Sequence, residues 1–174
     1  MKKAASIFFR YDVRQKDVES FIRWMENPAI TRYLNEDSKV STYMRNALFQ
    51  IPSPLLTLHF NKNGKFVVVC DDFDEAIGFF KLTKSDDCCY EVVYVIGEEE
   101  LWGHGFGENA LRKALNIAFF SLRAKSVKAK IYAENVRSVR MVKSCGFSAK
   151  NTTSTLHRYE ITFEEYVATI NKNA

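Results

Sequence analysis

Three of the chain's seven glycines stand within five residues, at Gly103, Gly105 and Gly107 in the stretch "LWGHGFGENAL". Glycine has no Cβ, so the backbone N–H groups of such a turn can approach a ligand closely. A helical pattern follows at once, and the positive end of a helix dipole attracts phosphate groups. The spacing therefore predicts a diphosphate cradle at the start of a helix.

Two common phosphate-binding loops fit this stretch poorly. A P-loop needs G-x-x-x-x-G-K-[ST], and no Lys-Ser or Lys-Thr follows the glycines. Gly105, Gly107 and Ala110 do satisfy the dinucleotide pattern G-x-G-x-x-A. That pattern also needs an acid about 20 residues later, where this chain has the basic segment "SVKAKIYA". The loop also lies too late in the chain for a full doubly wound sheet.

A second motif, "NVRSVRMVKSCGF" from Asn135 to Phe147, follows one strand after the loop helix. Together the two motifs resemble the GNAT N-acetyltransferases, which have a pyrophosphate loop R/Q-x-x-G-x-G/A followed by N-x-x-S…GF. Trp102 replaces the usual Arg or Gln. That change and the opening "DVESFIRWMENPAITRYLNE" resemble a branch similar to ribosomal-protein alanine acetyltransferases.

The resemblance implies one GNAT-like domain over residues 1–174, with a mixed α+β fold: a mostly antiparallel sheet of about seven strands flanked by helices. It implies direct transfer of an acetyl group from acetyl-CoA to a primary amine, either a protein N-terminus or a small molecule, with coenzyme A as product. A backbone N–H between Tyr94 and Ile96 would polarise the thioester carbonyl. The coenzyme-binding residues implied are Tyr94, Val95, Ile96, Trp102, Gly103, His104, Gly105, Phe106, Gly107 and Asn135.

Glu91 is the candidate base for removing a proton from the acceptor ammonium. The family resemblance implies a glutamate near this point of the strand, acting through a water molecule. Glu91 lies one residue further from the loop than in the family pattern, so a surface strand glutamate is the open alternative. Glu134 is a second candidate.

The group that protonates the leaving thiolate is the least defined part of the predicted site. The resemblance places a tyrosine seven residues after Asn135, but this chain has Val142 there. Ser138 is the candidate that replaces it, either by donating a proton or by ordering a water molecule. Ser138 as a helix-capping residue is the open alternative. The absence of the tyrosine also leaves open an acyl-CoA-binding sensor or regulatory module without turnover.

Several side chains near these motifs have two open interpretations. His104 either contacts phosphate or faces solvent. The lysines of the strand after the loop helix either hold coenzyme phosphates or cover a solvated strand face; they are Lys125, Lys128 and Lys130.

The elements that position these residues follow from hydrophobic periodicity. "DVESFIRWMENP", "ITRYLNED" and "STYMRNALFQIP" predict opening helices, the third capped by Ser41. "LLTLHF", "KFVVVCDD", "EAIGFFKLT" and "CCYEVVYVIG" predict an antiparallel meander. After the loop come a helix, the strand "SVKAKIYA", a short helix closed by Gly146, and "LHRYEITFEEY" as a strand and a turn.

Composition limits the partners. The 174 residues carry a net charge of +4 and the pI is near 8.8, which is too weakly basic to indicate nucleic acid. No apolar run approaches the roughly 18 residues of a membrane span, and Arg10 interrupts the apolar start, so we expect a cytoplasmic enzyme without a membrane partner. We expect a monomer or homodimer. The four cysteines lack zinc spacing, so we expect reduced structural thiols and no metal; they are Cys70, Cys88, Cys89 and Cys145.

Overall fold

The computed structural model describes residues 6–34 and 37–173. Its strands are β1 (Phe8–Arg10), β2 (Lys65–Cys70), β3 (Ala76–Asp86), β4 (Cys89–Ile96), β5 (Ser126–Tyr132), β6 (Ser148–Thr152) and β7 (Leu156–Thr162). Its helices are α1 (Gln15–Met25), α2 (Pro28–Thr31), α3 (Val40–Gln50), α4 (Leu56–Phe60), α5 (Phe106–Asn116), α6 (Val136–Ser144) and α7 (Phe163–Asn173). A π-helical turn, Ile117–Ser121, extends α5.

Within these ranges the strands form one seven-stranded sheet in the order β1-β2-β3-β4-β5-β7-β6. Every neighbouring pair is antiparallel except β4 and β5, which are parallel and are connected through α5. The predicted α+β fold with a mostly antiparallel sheet of seven strands is therefore confirmed.

The sheet separates two buried cores, because side chains alternate between its faces. On β2, Val67 and Val69 pack in the core under α5, which we call the α5-side core. Phe66 and Val68 pack in the core under α1, α3 and α4, which we call the α1-side core. All four side chains are almost fully buried, as expected for a sheet covered by helices on both faces.

The pairing between β4 and β5 is short. Only Cys89, Tyr90 and Glu91 pair with β5, opposite Ser126, Val127 and Lys128. The rest of β4, up to Ile96, pairs with β3 alone. The two parallel strands therefore diverge after Glu91 and leave a gap in the middle of the sheet.

The expected strand "LLTLHF" is wrong: this segment contains helix α4. Leu56 and Phe60 lie four residues apart and are both buried in the α1-side core, which is a helical spacing. Over so few residues, the alternation of apolar and polar side chains in this segment also fits a strand. His59 consequently lies on a helix, where its ring stacks on Tyr43.

The end of the chain also differs from the expectation. The segment after β7 is the eleven-residue helix α7 rather than a turn. Thr162 and Glu165 begin it with a capping box, since each side chain accepts a hydrogen bond from the other residue's backbone N–H. At the other predicted cap, Ser41 lies inside α3, whose N-cap is Lys39. The edge strands β1 and β6 were not predicted because they are short.

Candidate active site

The gap between β4 and β5 opens into a cavity of about 760 Å³. Its walls are β4 and β5, the glycine loop, the first turn of α5 and the exposed side of α6. On the α1 side of the sheet, α2 and the residues after it complete the wall, with Ile30, Tyr33 and Leu34. The cavity therefore brings together both sequence motifs and the opening helices.

The backbone of β4 presents unpaired groups to this gap. The Gly97 N–H donates to the Ile77 carbonyl on the β3 side at 2.9 Å. Along an antiparallel strand, residues whose backbone groups bond to the partner strand alternate with residues whose backbone groups point away from it. The backbone N–H and C=O of Val95 therefore point to β3, whereas those of Tyr94 and Ile96 point toward the gap. In agreement, the Ile96 carbonyl accepts a hydrogen bond from the Trp102 indole at 2.8 Å. Of the predicted segment, Tyr94 and Ile96 thus present their N–H groups to the cavity, and Val95 presents only its side chain.

The glycine loop continues directly from this strand. Gly103 has φ 79° and Gly105 has φ 90°, in the left-handed region that L side chains rarely adopt. A Cβ at either position would meet nothing within 4 Å. The glycines are therefore required by the backbone conformation, and they leave the space beside the loop open.

The first turn of α5 has backbone donors without helical partners. The Asn109 N–H is the first to bond back, to the Gly105 carbonyl at 3.0 Å, and no side chain caps the helix. The N–H groups of Phe106, Gly107 and Glu108 precede that bond. Gly107 and Glu108 line the cavity. This end of the helix is therefore suited to an anion.

Asn135 begins helix α6 on the opposite wall. Its side-chain oxygen accepts a hydrogen bond from the Ser138 N–H at 3.2 Å, so Asn135 is the capping residue. The alternative in which Ser138 caps the helix is thus wrong. The Ser138 side chain lines the cavity, while Val142 is fully buried and has no group that donates a proton.

Tyr94 approaches Ser138 from β4. The Tyr94 hydroxyl is shielded from solvent and has no hydrogen-bond partner in the described part of the chain. Burial raises the pKa of Tyr94 to about 12, and the nearby Ser138 hydroxyl counteracts part of that rise without meeting the geometry of a hydrogen bond. Tyr94 therefore remains a neutral phenol in the physiological range.

Glu91 lies where the two strands begin to diverge. Its Oε2 is 2.7 Å from the Lys130 Nζ, and the two side chains are 24% and 35% exposed. Both line the cavity. Neighbouring side chains of a strand point to opposite faces of the sheet. Val92 packs in the α5-side core, so the carboxylate of Glu91 projects on the α1 side. Glu134, the second candidate base, is exposed and is not part of the cavity wall.

Sequence reasoning missed two arginines of α6. Arg137 and Arg140 both line the cavity, and the Arg137 guanidinium lies 4.0 Å from the centre of the Trp102 ring. Their spacing of three residues places them on one helix face, a signal already present in the sequence. They provide the cavity with positive charge close to the glycine loop.

Four other predicted residues lie outside the cavity wall. His104 is exposed, and Phe106 packs against the α5-side core. Lys128 is paired with Asp86 at 2.9 Å, and Lys125 does not line the cavity. Lys130 does line it, but its partner is Glu91. The remaining predicted site residues surround one cavity: Glu91, Tyr94, Val95, Ile96, Trp102, Gly103, Gly105, Gly107, Asn135 and Ser138.

None of the helices described is long and apolar enough to cross a bilayer. Across residues 6–34 and 37–173, no group of three or more His, Cys, Asp and Glu side chains has an arrangement that could hold a metal ion.

Comparison with known proteins gives consistent matches. An uncharacterized N-acetyltransferase, p20, from Bacillus licheniformis is 25% identical over 134 residues, which are 76% of this chain and 74% of that protein. A spermidine N-acetyltransferase from Vibrio cholerae, solved with CoA and spermine, superposes with a TM-score of 0.74 at 21% identity over 92% of this chain and 98% of the other. The aminoglycoside acetyltransferase AAC(6')-Ib, solved with coenzyme A and kanamycin, has a TM-score of 0.74 at 14% identity over 95% and 99%.

The structural likenesses show the fold, and the family assignment rests on the sequence. None of these relatives singles out the ribosomal-protein alanine branch, which stays a prediction. The family model for the acetyltransferase (GNAT) domain matches residues 10–148. The chain therefore belongs to the GNAT acetyltransferase family and is an N-acetyltransferase that transfers acetyl groups to amines.

Proposed function

We propose that the gap between β4 and β5 binds acetyl-CoA, and that the chain uses residues of this gap to acetylate a primary amine. One observation carries the proposal. The backbone of Tyr94 and Ile96 faces the gap, and the same strand continues directly into a glycine loop with unpartnered helix N–H groups. Unpaired backbone donors in a row fit an amide-containing chain that ends in phosphates.

The phosphate end of the ligand fits the glycine loop and α6. The first turn of α5 offers N–H groups around Gly107, and Arg137 and Arg140 face the same cavity. Glu108 also lines this end, but its carboxylate is held 2.7 Å from Arg112. The negative charge nearest to the phosphates is therefore compensated within α5.

The reactive end fits the narrow part of the gap near Glu91. Glu91 would take a proton from the acceptor ammonium through a water molecule. The amine nitrogen then forms a bond to the acetyl carbon, and the bond from that carbon to sulfur breaks with its electron pair on sulfur. The Tyr94 N–H would stabilise the carbonyl oxygen as its charge develops, and Ser138 would provide the proton that sulfur takes up. Asn135 holds Ser138 in place through the capping bond.

The acceptor would enter from the α1 side, where α2 and Tyr33 form the wall. The relatives solved with amines contain spermine and kanamycin, so primary amines of several sizes suit this fold. For this chain we propose a protein N-terminus or a small-molecule amine in the cytoplasm, with residues 1–174 acting as one domain in a monomer or homodimer. A sensor that binds acetyl-CoA without turnover is the rival, because a buried valine replaces the family tyrosine.

Calorimetric titration with acetyl-CoA, with NAD as the control ligand, tests the proposal. We expect micromolar binding of acetyl-CoA alone, followed by detection of acetylated products by mass spectrometry in a panel of amines and peptides. Absence of binding would overturn the assignment of the gap. Binding without acetylation of any amine would instead favour the sensor.

A further inference from the structure

Lys130 lies on the acceptor side of the sheet. Its neighbours on β5, Ala129 and Ile131, pack in the α5-side core, so Lys130 and Lys128 project from the opposite face. On that face Lys130 reaches Glu91, with 2.7 Å between Nζ and Oε2. Lys128 is opposite Glu91 in the strand register, but it is not part of the cavity lining and pairs with Asp86 at 2.9 Å.

Both acids that line the described cavity have a basic partner. These acids are Glu91 and Glu108, and each is already paired, with Lys130 and Arg112 respectively. No unpaired carboxylate therefore lines the cavity as far as the structure describes it. The partial burial of Glu91 and Lys130 strengthens their attraction compared with a fully exposed pair. An amine that approaches Glu91 thus meets a nearly neutral pair.

We infer that Lys130 is a specificity-determining residue, which neutralises Glu91 and selects acceptors whose reacting amine is their only positive charge near the site. This inference rests on the proposed function. A polyamine or aminoglycoside brings further ammonium groups, and these need free carboxylates that the described wall does not offer. Ile30, Tyr33 and Leu34, whose side chains are largely apolar, line the same cavity. The substrate class that fits is a monoamine with a neutral or apolar body, such as a peptide α-amine.

The pair also makes Lys130 a competitor of the acceptor. An incoming ammonium ion and the Lys130 ammonium both favour contact with the same carboxylate. An acceptor with one cationic group can approach the Glu91 carboxylate while Lys130 stays paired with it. A second cationic group of a polyamine would be repelled by the like charge of Lys130.

The test measures kcat/KM for a neutral tripeptide amide with a free α-amine and for spermidine, in the wild type and in Lys130→Met. Methionine is unbranched like lysine, is one atom shorter and carries no charge. We expect the wild type to prefer the tripeptide, and Lys130→Met to raise the ratio of spermidine to tripeptide about tenfold or more. Lys128→Met is the matched control, since it removes a lysine from the same strand face outside the cavity, and we expect its ratio to equal that of the wild type.

The outcomes separate this inference from the function on which it rests. A wild type that prefers spermidine, or a ratio that is the same in Lys130→Met and Lys128→Met, overturns the role of Lys130 while acetyl transfer stands. Absence of acetyl-CoA binding, or binding without transfer to these two amines or to any other in the panel, overturns the proposed function and the inference together. Lys130→Gln, with an unchanged thermal midpoint as the criterion of folding, provides a second uncharged variant and must shift the ratio in the same direction.

Discussion

Arg137 and Trp102 meet across the gap in the sheet, with the guanidinium 4.0 Å from the centre of the indole ring. Trp102 follows β4 and Arg137 follows β5, so this contact connects the two strands beyond the point at which they stop pairing. The indole is fixed in turn by its hydrogen bond to the Ile96 carbonyl. The aromatic ring therefore holds a cation beside the start of the glycine loop.

Replacing Arg137 should weaken coenzyme binding through loss of that positive charge. For Arg137→Ala we expect an affinity for acetyl-CoA lower by about tenfold, which corresponds to about 1.4 kcal/mol, and a weaker dependence on salt. Calorimetry at two salt concentrations measures both quantities. Arg158→Ala, which removes an exposed arginine from β7 outside the cavity, should bind as the wild type does. Equal affinities in the two variants would contradict the phosphate role of Arg137.

A side chain at position 105 should be compatible with folding but not with the binding of acetyl-CoA. The φ of 90° at Gly105 makes any L residue strained there, by about 1–2 kcal/mol, yet a Cβ would meet no atom within 4 Å. We expect Gly105→Val to retain the wild-type circular dichroism spectrum, to melt a few degrees lower and to lose measurable acetyl-CoA binding. A folded variant with wild-type affinity would show that this side of the loop does not contact the coenzyme.

Glu91 can be tested by a change that keeps its shape. Glu91→Gln removes the base, so we expect kcat to fall by about 10²–10⁴ while the affinity for acetyl-CoA is retained. Steady-state kinetics and calorimetry on the same preparation give the two quantities. Glu134→Gln is the control, because Glu134 is exposed outside the cavity wall. If Glu91→Gln turns over at the wild-type rate, another group is the base.

Ser138 should affect the rate without affecting the stability of α6. Asn135 provides the cap and uses only the backbone N–H of Ser138, so Ser138→Ala keeps the capping bond. We expect kcat to fall at least tenfold with an unchanged thermal midpoint. Asn135→Ala, in contrast, should lower the free energy of unfolding by about 1 kcal/mol. A Ser138→Ala enzyme with full kcat would exclude this hydroxyl as the proton donor.

The cysteines should fall into two reactivity classes. Burial raises the pKa of Cys70 and of Cys145 to about 11, while Cys88 and Cys89 are partly exposed. At pH 8 we expect a disulfide reagent to modify Cys88 and Cys89 quickly, and to modify the other two only after denaturation. Peptide mapping identifies the labelled residues. Rapid native labelling of Cys145 would contradict its burial.

The same two pKa values imply a loss of stability in alkali. A buried thiol stays protonated in the folded state while the unfolded thiol ionises near pH 9, the reference value for both groups. The stabilising contribution is therefore complete below pH 9 and is lost as the pH rises toward about 11. Urea unfolding at pH 8 and pH 10 measures the difference, and replacing both buried cysteines with alanine should reduce it.

Local signals in the sequence predicted most of the fold and most of the candidate residues that line the cavity. The glycine turn before a helix and three of the four predicted meander strands depend on residues close together in the chain, and the structure has them as the loop before α5 and as β2, β3 and β4. The α4 segment was misassigned because five residues can fit either periodicity until burial of Leu56 and Phe60 decides. The Glu91–Lys130 pair joins residues on different strands, so only the tertiary structure could show that the candidate base already has a partner.

The part of β4 that does not pair with β5 also affects the stiffness of the sheet. Three paired residues on each strand, from Cys89 and from Ser126 onward, are the backbone link between the two parts of the sheet. A ligand that lies between Tyr94 and α6 would connect the two parts of the sheet. It would also supply hydrogen bonds to β4 that a longer pairing between β4 and β5 would otherwise provide. Binding of the coenzyme would then also complete the sheet, and the protein would be stiffest with the coenzyme bound.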